Sequence, residues 1–326
     1  MNLQTVGIAG LGLLGRGIAG CLLAHGLRVI AYTPAQDEFV TARRVIAEAV
    51  EELITRAGMP ASLRDTWSER FIEVDSPAAL ASADFIIESI IEAAEAKQRL
   101  FDALEAALPS HVTIASNTSA IPITSLQQGR LHPQRFIGMH WAEPAHANRF
   151  LEIIRGNLTS DSAVQHALHL ASLTGKEPCV VEHDLPGFIA NRIGYAMYRE
   201  ACNLLSLGIA DAETIDLAFR NSVGLWAGVC GPFRWIDLTG GPVLYARAME
   251  PVMPTLCRET ALPTPLADLA ANGCTGINNG TGFYQYTAAD AERWVHAYRE
   301  NVWAVHRTLQ SVFPKQTASS ADTGST

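Results

Sequence analysis

Apolar residues in this chain come first as short runs and later as long helical faces, and the change falls near residue 184. Before that point, "TVGIAG", "RVIAY", "RFIEV", "DFIIESI", "VTIASN", "RFIGMHW", "RFLEII" and "EPCVVEH" read as strands. Several are apolar on both faces, as strands buried inside a mostly parallel sheet are. Between them "GRGIAGCLLAH", "DEFVTARRVIAEAVEELITRAG" and "EAAEAKQRLFDALEAAL" carry helical spacing. Strands alternating with helices predict βαβ units and an α/β, doubly wound sheet.

From "HDLPGFIANRIG" onward, strand signals nearly vanish. "GFIANRIGYAMYREACNLLSLG", "DAETIDLAFRNSVG", "WIDLTGGPVLYARAMEPVM" and "ADAERWVHAYRENVWAVHRTLQSVF" read as helices. The pattern predicts an α/β domain over 1–184, an all-helical domain over 185–313, and a disordered tail over 314–326, where "KQTASSADTGST" is small and polar. The first of these helices is apolar over most of its surface, more than a lone solvent-facing helix needs. That predicts burial against another subunit.

Composition narrows the classes. With 326 residues, 48% of them hydrophobic and 17% charged, the chain is globular material with room for two domains. A net charge of −9 argues against a nucleic-acid partner or an anionic membrane surface. Cys21, Cys179, Cys202, Cys230, Cys257 and Cys274 are scattered without a CxxC pair. They read as small buried residues in a reducing compartment, and no metal site is expected. The apolar stretch 6–32 is interrupted by Arg16, His25 and Arg28, so it is not read as a membrane span. With no basic leader before the first strand, the expectation is a cytoplasmic protein.

Two constellations carry chemistry. Gly10-x-Gly12-x-x-Gly15, with Leu13 and Leu14 inside it, follows the first strand and opens a helix. Gly10 would make the tight turn, Gly12 would let backbone approach a pyrophosphate, and Gly15 would let the helix pack closely on the sheet. In this strand–helix setting the motif predicts a dinucleotide site. The second strand ends at Tyr32-Thr33-Pro34, where an acid would grip the adenosine ribose of NAD. No acid stands at Thr33, while Asp37 and Glu38 follow shortly and Arg43 and Arg44 lie on the next helix. NAD is the expected cofactor, with NADP left open.

The second constellation is "GMHWAEPAHANRFLE" at 138–152. It gives a strand ending at His140, a loop, and a strand carrying Glu152. Neighbouring strands would set the two side chains together. A carboxylate bonded to one imidazole nitrogen fixes the tautomer and makes the other nitrogen a better base. Removal of a hydroxyl proton while the adjacent hydride leaves for nicotinamide needs such a pair. A core histidine paired with a glutamate is the structural alternative.

Further motifs in order and register extend the picture: "SNTSA" (116–120), "HWAEP" (140–144) with Glu152, and "PGFIANR" (186–192). With these, the chain resembles the L-3-hydroxyacyl-CoA dehydrogenase family from Gly10 to "GTGFYQY" at 280–286. The resemblance implies that His140 is the base in oxidation and the acid in reduction, with Glu152 orienting it. It also implies that Ser119 bonds the reacting oxygen and that Asn191 helps hold it. Glu92 and Lys97 match positions beside the nicotinamide ribose, and Asn117 shares that strand end. A homodimer formed through the C-terminal helices is a further family expectation.

Four departures bear on substrate and cofactor. The ribose acid is missing at Thr33. Glu143 stands where the family has asparagine, and would favour a cationic or hydrogen-bond-donating substrate end. The helix after the second strand carries Glu48, Glu51 and Glu52 beside its arginines, a poor surface for CoA phosphates. Asn278 replaces a lysine that can approach the cofactor.

The leading reading is an NAD-dependent dehydrogenase interconverting an L-3-hydroxyacyl-CoA, or a related 3-hydroxy compound, and its ketone. The runner-up is a dehydrogenase of a free 3-hydroxy acid of carnitine or gulonate type. A dinucleotide-binding protein without turnover is a third reading, opposed by the Ser119–His140–Glu152–Asn191 set. A 3-hydroxyisobutyrate-type enzyme shares the first motif, but its glycine-rich substrate motif is absent.

Overall fold

The computed structural model describes residues 3–314; most of the expected tail, 315–326, lies outside the described residues. By contact density the chain divides into two units, Met1–Arg192 and Ile193–Thr326.

The first unit holds one sheet of eight strands: β1 (Thr5–Ala9), β2 (Arg28–Tyr32), β3 (Phe71–Val74), β4 (Phe85–Glu88), β5 (Thr113–Ser116), β6 (Phe136–Trp141), β7 (Phe150–Ile154) and β8 (Glu177–Val181). All eight expected strands are present. Their order is β3-β2-β1-β4-β5-β6-β7-β8, and every pair is parallel except β6–β7. The chain starts in the middle, winds to one edge, and returns past β1 to β4. That reversal is the switch point at which doubly wound sheets bind ligands beyond their C-terminal strand ends.

Its helices are α1 (Leu13–Ala24), α2 (Glu38–Ala57), α3 (Leu63–Thr66), α4 (Ala94–Ala107), α5 (Ile123–Leu126) and α6 (Asp161–Leu173). On one face, Leu100, Phe101 and Leu104 of α4 pack on Ile86 and Ile114, and Phe101 meets Phe136 edge-on at 5.1 Å. Burying one such side chain contributes roughly 1.5–3 kcal/mol. On α1, Gly20 allows close approach to α2, since a Cβ there would come within 2.9 Å of Ala49.

Helix α7 (Ala190–Ser206) leads into the second unit, which holds α8 (Ala212–Asn221), α9 (Val223–Ala227), α10 (Pro232–Leu238), α11 (Gly241–Met249), α12 (Thr264–Ala271) and α13 (Ala288–Val312). Asp211 caps α8 through the Thr214 amide, and Thr287 with Asp290 forms a capping box on α13. The segment 235–253, expected as one helix, is two. Gly240 and Gly241 sit at φ 132° and 76°, outside the range of a helix interior, and the chain turns there before α11 continues. Among the described residues, Cys202 and Trp303 are the only buried apolar side chains of this unit.

Candidate active site

The C-terminal strand ends of the first unit converge on a groove of about 650 Å³. Gly10 follows β1 with φ 101°, and a Cβ there would lie 2.4 Å from the Ser89 carbonyl oxygen. At Gly15 a Cβ would strike the Gly10 carbonyl oxygen, so α1 can begin only as tightly as glycine allows. Gly12 differs, because its missing Cβ would point into open space. It is also the N-cap of α1 and offers no side-chain cap, which leaves the first-turn amides of a twelve-residue helix without a side-chain acceptor. Such a terminus fits a pyrophosphate, and a side chain at Gly12 would fill the approach.

The groove is lined by Gly10, Gly12, Leu13, Leu14, Thr33, Glu92, Asn117 and Ser119, among others. Of the residues expected at the cofactor, Gly15 and Lys97 stand behind this lining. Lys97 is buried, with its ammonium 2.6 Å from Glu88 Oε1 and 3.3 Å from Glu92 Oε2. Asn117 donates from Nδ2 to Ser89 Oγ and accepts the Trp141 amide at 2.9 Å, tying the ends of β4 and β6 together.

Glu92 organises the loop after β5. Its Oε1 accepts the Thr118 hydroxyl at 2.5 Å and the amides of Ser119 and Ala120 at 2.9 and 3.1 Å. Partial burial pushes its carboxyl upward, but the Thr118 bond, the Lys97 charge and the two amides outweigh this and hold it below the ordinary value. Ser119 is exposed. Its carbonyl oxygen, rather than its hydroxyl, takes the Asn191 amide at 2.9 Å.

His140 and Glu152 face each other because β6 and β7 are antiparallel and these residues are direct partners in the register. His140 Nδ1 lies 2.7 Å from Glu152 Oε2. The other oxygen, Oε1, accepts the Ile189 and Ala190 amides at 2.9 and 3.0 Å, at the start of α7. Burial alone would raise the Glu152 carboxyl; the His140 bond and these two amides overcome it and hold the group below its ordinary value. A charged carboxylate only accepts, so Nδ1 carries a proton, and in the neutral ring Nε2 is the nitrogen free to accept one. Phe150 and Phe188 wall the ring, with centroids 6.0 and 5.9 Å away.

Glu143 is not among the residues lining the groove. It is exposed, and its Oε2 lies 3.8 Å from where a Cβ on Gly17 would be, against α1.

Two residues matter here that the sequence pattern did not single out. Glu88, fully buried at the end of β4, accepts from Lys97, from the Ser116 hydroxyl at 2.5 Å and from the Ile90 amide at 2.8 Å. An acid closing an otherwise apolar buried strand was its signal. Phe188 is the other. It is buried at φ 49°, a left-handed conformation unfavourable for a side chain this large, and it follows Gly187 at φ 79°. This turn aims the Ile189 and Ala190 amides at Glu152.

Comparison with known proteins gives the family. The model of the 3-hydroxyacyl-CoA dehydrogenase NAD binding domain matches residues 5–185, and that of the C-terminal domain of the same family matches 187–286. The chain belongs to the 3-hydroxyacyl-CoA dehydrogenase family. It is an oxidoreductase with NAD as its cofactor. It is 30% identical over 308 residues to a 5-formyl-3-hydroxy-2-methylpyridine 4-carboxylate 5-dehydrogenase of Mesorhizobium japonicum, covering 94% of this chain and 99% of that relative. An L-carnitine dehydrogenase of Streptomyces coelicolor is 32% identical over 286 residues, covering 86% and 89% of the two chains. A crystal structure of a 5-formyl-3-hydroxy-2-methylpyridine 4-carboxylic acid 5-dehydrogenase, described as an NAD+-dependent dismutase, superposes with a TM-score of 0.87. It is 28% identical and covers 95% of this chain and 99% of its own. Membership of the 3-hydroxyacyl-CoA dehydrogenase family accounts for the order of the motifs and for the pairing of an α/β unit with a helical one.

Proposed function

We propose that this chain interconverts a 3-hydroxy compound and its 3-keto product, with His140 as the acid–base group. The observation that carries the reading is the His140–Glu152 contact of 2.7 Å, with Glu152 held charged by the start of α7. NAD held along Gly10, Gly12, Leu13 and Leu14 would supply the acceptor for the hydride of the carbinol carbon. His140 Nε2 takes the hydroxyl proton, while Glu152 keeps Nδ1 protonated and the ring in place. Ser119 offers its hydroxyl to the reacting oxygen, and Asn191 steadies Ser119 through its carbonyl. In the reverse direction His140 returns the proton.

An L-3-hydroxyacyl-CoA is the leading substrate, as the family implies. A free hydroxy acid is the second reading, and a particular feature favours it. Arg43 pairs with Glu73 at 2.6 Å, Arg44 with Glu48 at 2.7 Å and Arg64 with Glu51 at 2.7 Å. These three arginines on and beside α2 are thus already partnered, a weak surface for CoA phosphates. Glu143 is proposed as a contact for a cationic or donor-bearing substrate end. The names of the two relatives add carnitine and a pyridine carboxylate to the compounds worth offering.

The deciding experiment follows NADH formation with L-3-hydroxybutyryl-CoA, free 3-hydroxybutyrate, carnitine and a 5-formylpyridine 4-carboxylate side by side. Turnover of the CoA ester alone supports the leading reading, and turnover of a free acid alone supports the second. No turnover with any of them counts against both.

We also propose a cytoplasmic homodimer formed through the helical unit. No helix among the described residues is long and apolar enough to cross a membrane. Leu225, Phe233, Leu238 and Val243 are each at least two-thirds exposed, more apolar surface than an isolated unit ordinarily presents. Sedimentation equilibrium giving twice the chain mass supports the dimer, and a single chain mass overturns it.

A further inference from the structure

Strand β2 ends at Tyr32, and Thr33 follows it where an acid would hold the adenosine ribose, yet the structure brings an acid to the same place. Thr33 is fully buried, and its hydroxyl donates to Oε2 of Glu38, the first residue of α2. Tyr32, Thr33, Pro34 and Glu38 form one stretch of the wall that also contains Gly10 and Gly12. The second carboxylate oxygen of Glu38 accepts no hydrogen bond among the described residues.

We propose that Glu38 supplies the ribose acid from the helix instead of the strand, and that it is the residue by which this chain selects NAD over NADP. A carboxylate there can accept ribose hydroxyls. A 2′-phosphate would bring a like charge against it and would remove one of the hydroxyl donors. The start of α2 would otherwise be an attractive anion site, and Glu38 in its first turn compensates that positive end.

The nearby cations do not reverse this. Arg43 is engaged by Glu73 and lies over the Phe71 ring at 5.3 Å, while Arg44 is engaged by Glu48. Arg99 lines the groove from α4 and is the cation that a phosphate could draw. It is 73% exposed, with Glu95 one helical turn away, so its pull is screened by water. Thr33 acts as a positioning residue that fixes the Glu38 carboxylate toward the groove.

The test is isothermal titration of the full-length protein with NAD+ and with NADP+, for the natural chain, Glu38→Gln and Thr33→Val. It needs no substrate, so its outcome is independent of the role given to His140. The natural chain is expected to bind NAD+ more tightly. Glu38→Gln is expected to lose about tenfold or more in NAD+ affinity, the scale of a hydrogen bond to a charged group, with NADP+ affinity unchanged or improved. Thr33→Val, which keeps the buried shape, should fall between. Thermal melts of the three proteins verify that the folds are equal. Equal losses for both dinucleotides in Glu38→Gln, an unchanged NAD+ affinity, or a natural preference for NADP+ would each overturn the assignment.

Discussion

Glu152 Oε1 accepts the Ala190 amide at 3.0 Å while its other oxygen faces His140, so one carboxylate joins the dyad to the first turn of α7. Both neighbours are donors, and only a charged carboxylate satisfies both. Glu152→Gln presents one oxygen and one NH2. Turned one way, the NH2 meets the α7 amides and buried donors are left unpaired at about 1–3 kcal/mol; turned the other, it meets Nδ1, which can accept only by moving the ring proton to Nε2 and removing the base. The variant is expected to melt lower and to turn over at least tenfold more slowly. Equal melting and equal rates would contradict this.

The same carboxylate predicts acid sensitivity. Its folded value is held below the ordinary one, as is that of Glu92. A lowered carboxyl value contributes stability that is fully present above the unfolded value and is lost as pH falls through the folded value. Urea midpoints should therefore hold at neutral pH and decline once pH drops below the ordinary carboxylate range. Glu92→Gln should flatten that decline, and a midpoint as pH-dependent as in the natural chain would count against it.

Lys97 and Glu88 form a buried pair whose loss strands a charge. Lys97→Met is expected to cost about 3–5 kcal/mol, because Glu88 stays behind without a cation. Adding Glu88→Gln should recover part of that cost, since the double variant buries no uncompensated charge there. Urea denaturation of the four proteins in the cycle measures the coupling, and additive effects would refute it.

Two glycines of one motif should behave oppositely. Gly12→Val places its side chain in open space, so the melting temperature is expected to hold while NADH binding falls at least tenfold. Gly10→Ala meets backbone at 2.4 Å in a left-handed conformation and should instead lower stability. Melting curves paired with NADH fluorescence titrations separate the two effects. A Gly12→Val protein that binds NADH normally would remove the pyrophosphate from this turn.

Much of this was legible before the fold. All eight strands could be read because each is short and mostly apolar, and the sixth and seventh could be read as neighbours, while their antiparallel direction came from the structure. Helix α6 was harder, since Gln165, His166 and His169 dilute its apolar face. The break at Gly240–Gly241 depends on backbone angles that helical spacing alone does not reveal. Glu38 could be seen near the missing acid, but its bond to Thr33 depends on the path of the loop between them. Asn191 bonds the Ser119 carbonyl, a distinction between side chain and backbone that no motif encodes.

The most direct test of the account is Glu152's partner itself. Replacing His140 with Gln keeps a polar side chain of similar reach but removes the nitrogen that would exchange the substrate proton. Steady-state turnover on the best substrate should fall about 10²–10⁴-fold, the range of a lost general acid–base group, while NADH binding by fluorescence titration stays within about twofold. Turnover within tenfold of the natural chain would show that His140 is a core histidine satisfied by a glutamate, and that the proton moves elsewhere.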